Sequence, residues 1–533
     1  MNIIEIPCFH PWQDRSTEIN EMIRNAPDHC RLHFQPGEYY LRQTLQFSGK
    51  KGLIFDAAGC IFTVFSDPAK DEWSGENPNF AEICNCSELM FTGFTLRQEK
   101  PSNVGGEILD VQPDHVDVRF FQPLTGEEIF NTGMTFSPDG RPQGNWWMLW
   151  QPEGGRRAVI AGEIATTAPA PVNVPHEALG NNCFRISKTT PDRLKPGMHC
   201  QIKHWTYGNS AFVFRNTEKL TMEEVTITNW GGFAVTILPR CRDFTFRRFA
   251  CRVEDRKNQP YSVTVDAIHT TGLGGKLLLD ECFFDGVGDD TLNSHTATLK
   301  VTAIAGSRMT VIFDKPGALF PARWGAPGDT LIVYDGKTLL DKGEITLISA
   351  EKGNLEIQPD PAVQINPGDY VVNRAFIPEI IIRNTTAVNS RSRFCIQAAA
   401  KLEICHCYFD MVGFLSPVYI SSAFRYWGEG GWVEDVDIHD NEIRMPEDPD
   451  ANPFRSPAIW IRVNDVNTMT MESIGKTVPQ TRYLNIRIRN NIIAGTIEAS
   501  HCEGLEITGN HFDRPPAEAV TVHPDCRNVR LDF

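Results

Sequence analysis

Between Asp266 and His295 the chain reads DAIHTTGLGGKLLLDECFFDGVGDDTLNSH, its densest polar stretch. Asp266 precedes the pair Asp289 and Asp290 by 23 and 24 residues. If that interval is one turn of a repeating strand architecture, the three carboxylates stack in space. Like charges held together raise one another's pKa, and such strain is characteristic of functional sites. A carboxylic acid that keeps its proton beside a carboxylate that does not can protonate a leaving oxygen and activate water. This is the chemistry of glycosidic cleavage. Inverting enzymes hold the two groups roughly 6.5–9.5 Å apart, and one strand step plus the offset between neighbouring side chains is expected to supply that separation. Two other readings stay open on these residues alone. Asp289 and Asp290 could close the turn after Gly286-Val287-Gly288, or the three acids could hold calcium, although no EF-hand pattern is present.

The elements that must position these acids are short strands of alternating apolar residues, often closed by Asn or Cys. Examples are LTMEEVTI from Leu220, FTFRRFAC from Phe244, LLLDECFF from Leu277, LEICHCYF from Leu402 and IRIRNNII from Ile486. Neighbouring starts lie about 19 to 34 residues apart with no helical period between them. That spacing predicts an all-β fold of stacked coils, a parallel β-helix. A β-sandwich array would need regular Asn-Gly or Asp-Gly hairpins, and most of these strands lack them. Two stretches break the rhythm, 106–203 and 299–375. Each ends in a Pro-Gly turn before a strand (LKPGMHCQIKH, INPGDYVVNR), which predicts two small inserted β-barrels. The expected organisation is therefore 1–105 cap and first coils, 106–203 first barrel, 204–298 central coils with the acids, 299–375 second barrel, and 376–533 final coils. Asp14–Ile23 reads as a short amphipathic capping helix, with Ser16 or Thr17 as its N-cap, covering the open end of the first coil.

Composition narrows the function. The 533 residues are 41% hydrophobic and 22% charged, which excludes a disordered chain. The formal charge of −16 argues against nucleic acid and anionic membrane partners, both of which need basic surfaces. No apolar run approaches the ~18 residues of a membrane span. The first residues show no basic n-region or long apolar core. With free thiols, that favours the cytoplasm, and export with removal of a signal stays open. The 15 cysteines are not a disulfide framework. Cys84-x-Cys86 and Cys405-x-Cys407 should each place two thiols on one strand face, and these are expected to be packed thiols rather than metal ligands.

The stretch DAIH…GGKLLLDECFFDGVGDDTLNSH resembles the catalytic coil of glycoside hydrolase family 110, the inverting α-1,3-galactosidases. Further on, RNTTAVNSRSRFCIQ from Arg383 resembles a family coil with Arg-x-Arg, carried by Arg391 and Arg393. YWGEGGWVEDVDIHDNEI from Tyr426 resembles a W-x-E-x-G segment, carried by Trp427 and Glu429. The likeness runs from about 204 to 445 and is thin after 450. It implies a right-handed parallel β-helix with barrel inserts, and an exo-acting enzyme that releases terminal α-linked galactose without metal or cofactor. By the resemblance Asp266, Asp289 and Asp290 take the catalytic positions, with Asp289 as acid and Asp266 and Asp290 activating water. Candidates for sugar contacts are Tyr207 and Asn209, where the first insert returns to the coils, together with His269, Asn293 and His295. Arg391, Arg393, Trp427 and Glu429 complete the set. Lys276 could pair with a carboxylate or be solvated. The run Trp146-Trp147-Met148-Leu149-Trp150 reads as the core of the first insert. The expected partner is a glycan ending in α-galactose, and a homodimer through the inserts is left open. Two other function classes remain: a β-helix hydrolase or lyase on an acidic polysaccharide, and a non-catalytic carbohydrate-binding β-helix.

Overall fold

The computed structural model describes residues 2–8, 12–67, 77–101, 103–123, 135–136, 142–143, 146–153, 156–159, 164–165, 176–187, 195–203, 209–255, 259–313, 324–390, 393–411, 415–424, 428–445, 455–463 and 483–533. Its body is a solenoid of parallel strands. A typical coil runs Glu218–Glu223, Thr226–Asn229 and Val235–Ile237. Its first two strands join a sheet of 22 strands, and its third joins a sheet of 11. In-register pairs such as Leu220↔Phe244, Phe244↔Leu277, Leu277↔Ile380 and Ile380↔Leu402 run from coil to coil. Period-2 alternation sends these residues inward, where stacked strands ~4.8 Å apart form continuous apolar ladders. At the N-terminal end the ladder is aromatic: Phe34, Phe55, Phe62, Phe80, Phe91, Phe94 and Phe212 pack ring against ring.

The corner between the first and second strands explains the Asn and Cys that close the sequence pattern. Glu224, Arg248, Glu281, Asn384, His406, Asp440 and Asn490 all take positive φ near 50°, which turns the chain sharply. The next residue then points inward and stacks on its equivalent. Cys407 N–H donates to Asn441 Oδ1 (2.9 Å), Asn441 N–H to Asn491 Oδ1 (3.1 Å) and Asn491 N–H to Asn510 Oδ1 (2.9 Å). The same turn overturns the expectation for the C-x-C pairs. His406 and Asn85 are left-handed, so the strand period is broken between the cysteines. Cys86 and Cys407 enter the core, while Cys84 and Cys405 do not join it. Replacing Asn491 by Ala should leave Asn441 N–H without its acceptor and take one of two partners each from Asn441 Nδ2 and Asn510 Oδ1. Orphaned buried groups cost about 1–3 kcal/mol each, so a loss of at least about 2 kcal/mol is expected in a denaturant melt.

The capping helix spans Ser16–Asn25, two residues later than the sequence reading, and Ser16 is its first residue rather than its N-cap. The Ser16 hydroxyl instead accepts from the N–H groups of Arg42 and Gln43 (2.8 and 2.9 Å). Asn20 bonds the edge strand Leu45–Ser48 on both sides: Nδ2 donates to Thr44 O (3.0 Å) and Oδ1 accepts from Gln46 N–H (2.7 Å). The helix thus covers the first strand of the 11-stranded sheet, a bare edge that would otherwise template pairing.

The inserts differ from each other. Strands Leu299–Ala305, Arg308–Ile312, Asn354–Gln358, Asp341–Glu351, Thr330–Tyr334 and Tyr370–Asn373 close a six-stranded barrel. It has its own core around Trp324, Leu331, Val333 and Leu347. Among the described residues the first insert forms an eight-stranded antiparallel sheet. Among the described residues its end strands, Arg156–Val159 and His176–Gly180, do not pair with each other, so closure into the expected first barrel is not shown there. Trp146–Glu153 is one of its strands, beside His199–Lys203; the side chains of the Trp cluster lie outside the described residues. Among the described residues no helix is long and apolar enough to cross a membrane.

Candidate active site

The acids lie immediately ahead of two stacked strands of the 11-stranded sheet, Ile268–Thr270 and Leu292–Ser294. Pairing of Ile268 with Leu292 and of His269 with Asn293 sets the register. Asp266 and Asp290 therefore occupy equivalent positions one coil apart. Asp290 N–H donates to Asp266 Oδ1 at 3.0 Å, and Ala267 N–H donates to Asp290 O at 3.0 Å. One carboxylate oxygen from each of Asp266, Asp289 and Asp290 lies within 4.8 Å of the others.

Asp266 and Asp290 are both buried, at 4% exposure each, while Asp289 is half-buried. Burial, and then the Asp290 charge, push the Asp266 carboxyl well above the usual range, and the Asp290 N–H opposes them only in part. Burial beside the Asp290 charge thus favours the protonated form of Asp266. Arg393 Nε sits 3.2 Å from Asp290 Oδ1, too oblique for a hydrogen bond but a close ion pair, and its guanidinium lies 4.5 Å over the Tyr419 ring. Burial alone would pull the Arg393 pKa down; the charges of Asp290 and Asp289 outweigh it and hold the pKa above its usual value. Arg393 thereby favours the ionised form of Asp290.

A row of titratable groups runs away from the acids. His269 Nδ1 lies 2.7 Å from Asp266 Oδ2, and its Nε2 lies 3.4 Å from His295 Nε2. His295 Nε2 is in turn 3.7 Å from Glu429 Oε1, whose other oxygen accepts from Gln397 Nε2 at 2.8 Å. Glu429 reaches this row because Glu429–Gly430 pairs antiparallel with Thr296–Ala297. The structure thus brings Asp266, His269, Asn293, His295, Arg393 and Glu429 together around Asp289 and Asp290. Asn209 has a different place: its amide donates to the backbone oxygens of Asn77 (3.0 Å) and Pro78, and its own carbonyl accepts from Trp230 Nε1 (2.8 Å). Lys276 is exposed on the larger sheet, opposite Glu379. Tyr207, Arg391 and Trp427 lie outside the described residues.

Four neighbours were not singled out from the sequence: Gln397, Tyr419, Trp460 and Arg462. Asn293, Cys395, Tyr419 and Trp460 are in register as the outward middle residues of successive strands LNS, FCI, VYI and IWI. Arg462 Nε donates to Tyr419 OH (2.9 Å), and its guanidinium stacks 3.7 Å over Trp460. A polar or aromatic residue at the centre of an apolar triplet was the available signal. As to metals, the three acids could approach a divalent cation, yet Arg393 already offers its charge to Asp290, which disfavours one there.

No family model matches the chain. Among curated proteins it is similar to alpha-1,3-galactosidase B of Bacteroides thetaiotaomicron, 24% identical over 520 residues, covering 92% of this chain and 82% of that one. It is also similar to alpha-1,3-galactosidase B of Akkermansia muciniphila, 23% identical over 288 residues, covering 53% of this chain and 35% of the relative. The corresponding protein of Bacteroides fragilis is 22% identical over 267 residues, 47% of this chain and 44% of its own length. In these last two relatives the chain therefore spans less than half of their length. Among solved structures, a family 28 exopolygalacturonase of Yersinia enterocolitica aligns with 100% of this chain and 78% of its own, at 10% identity and a TM-score of 0.46. The family resemblance read from the sequence is borne out by these distant relatives, which are alpha-1,3-galactosidases.

Proposed function

We propose that this chain, a distant relative of the alpha-1,3-galactosidases, is an exo-acting glycoside hydrolase that releases terminal α-linked galactose from a glycan. The observation that carries the reading is the acid cluster, in which Asp266 is pushed up by burial and by Asp290 while Arg393 favours ionised Asp290. In this mechanism Asp289, the most accessible of the three, protonates the glycosidic oxygen as the bond to the anomeric carbon breaks. Water attacks that carbon, and its proton passes to the Asp266–Asp290 pair. His269 orients Asp266, and His295, Glu429 and Gln397 hold His269 in place.

The family resemblance favours inversion, and retention with an Asp nucleophile is the alternative outcome. Proton NMR of the protein with galactose-α-1,3-galactose separates the two. β-Galactose in the first minutes is expected and establishes hydrolysis, linkage and inversion together. Early α-galactose would establish retention, with one Asp as nucleophile. No galactose release from this or any other α-galactoside would overturn the proposal. A polysaccharide lyase would instead yield an unsaturated sugar that absorbs in the ultraviolet.

A further inference from the structure

On the larger sheet, away from the acids, the strands Lys401–Cys405 and Glu434–His439 pair in parallel, with Glu403 opposite Asp437 and Cys405 opposite His439. Leu402 and Ile404 point into the core, so Glu403 and Cys405 share the outer face with His439. The left-handed turn at His406 is what separates Cys405 from the inward Cys407. From these positions we infer that Glu403, Cys405 and His439 form a binding site for a zinc-like divalent ion, joining two adjacent coils.

Three observations carry this. A carboxylate oxygen of Glu403, Cys405 Sγ and an imidazole nitrogen of His439 lie within 4.8 Å of one another, and His439 Nε2 is 3.5 Å from Glu403 Oε1. These are separations that a tetrahedral ion with ~2.0–2.3 Å bonds can bridge by small side-chain shifts. The other imidazole nitrogen, Nδ1, is 2.7 Å from Asp440 Oδ2, the carboxylate–histidine arrangement that aims the second nitrogen at a metal. Finally, the cations flanking the cluster face other carboxylates. Arg383 donates to Asp280 (2.7 Å), and Arg489 makes a two-pronged bond to Asp437 (3.0 Å each), with Arg487 3.6 Å from the same group. Thiolate, carboxylate and neutral imidazole together balance the charge of a divalent ion. Water completes the coordination from the solvent side.

The test is zinc titration of the full chain against a chromophoric chelator, with cobalt as a spectroscopic probe. One tight equivalent is expected, with a thiolate-to-cobalt absorption band. Cys405→Ser and His439→Gln should each weaken that equivalent at least about 10-fold, and Asp440→Asn about 10-fold. Cys84→Ser, a half-buried thiol elsewhere, should leave it unchanged. Zinc should raise the Tm of the wild type but not of Cys405→Ser. Absence of tight binding to the wild type, or binding unaltered by Cys405→Ser and His439→Gln, overturns the inference. Neither result depends on turnover, so the galactosidase reading stands or falls separately.

Discussion

Asp289→Asn is expected to lower kcat by about 10²–10⁴-fold, the range for loss of a positioned proton donor, with the melting temperature close to that of the wild type. Asp289 is half-buried at the mouth of the cluster, and asparagine fills the same volume without a proton to give. Asp266→Asn should be equally inactive and, unlike Asp289→Asn, more stable than the wild type at neutral pH. The sign follows from linkage. The folded-state pKa of Asp266 lies above its unfolded value, so the group opposes folding once pH exceeds the unfolded pKa of about 3.9. That opposition grows as pH rises toward the folded pKa and is absent below the unfolded one. Thermal melts from pH 3 to 8 should show the stability gained by Asp266→Asn vanishing at the acid end. A variant less stable than wild type at pH 7 would mean that the hydrogen bonds to Asp290 N–H and His269 outweigh the strain of the buried carboxyl.

The second large effect is at Arg393. Its side chain is about one-fifth exposed, and its partner Asp290 is almost wholly buried. Arg393→Met keeps the contact with the Tyr419 ring but leaves the buried Asp290 carboxyl without its counter-charge. Stripping one member from a buried pair costs about 3–5 kcal/mol, and the partial exposure places this case near about 3 kcal/mol. Turnover should fall as well, because Asp290 then takes up a proton and no longer acts as a base. A double-mutant cycle checks the cause: Asp290→Asn added to Arg393→Met should recover most of the stability and none of the activity. A double variant no more stable than Arg393→Met would sink the assignment of the ion pair as the source.

Much of the fold was legible because a β-helix writes its geometry into the sequence as a repeat. Apolar alternation marked the strands at Leu220, Phe244, Leu277, Leu402 and Ile486, and their spacing implied stacking. The interval from Asp266 to Asp289 and Asp290 then brought the acids together before any coordinates. The first insert was less legible. Its β-rich composition is compatible with an open sheet or a closed barrel, and only long-range pairing separates them. The C-x-C pairs misled because a single left-handed residue, His406 or Asn85, cancels the period-2 rule without leaving a distinct mark in residue type.

The sequence by itself determined which residues could do chemistry and that one coil separates them, since both follow from local period and spacing. Tertiary structure decided what the neighbours do. Glu429 reaches His295 through an antiparallel pairing that spans more than 130 residues, and Arg393 finds Asp290 across the full length of the second insert. Tyr419, Trp460 and Arg462 line up only once the coils are in register. Local propensity acts over a few residues, whereas burial, charge and proton sharing depend on distances in space. The ionisation of Asp266 was therefore settled by packing rather than by its place in the chain.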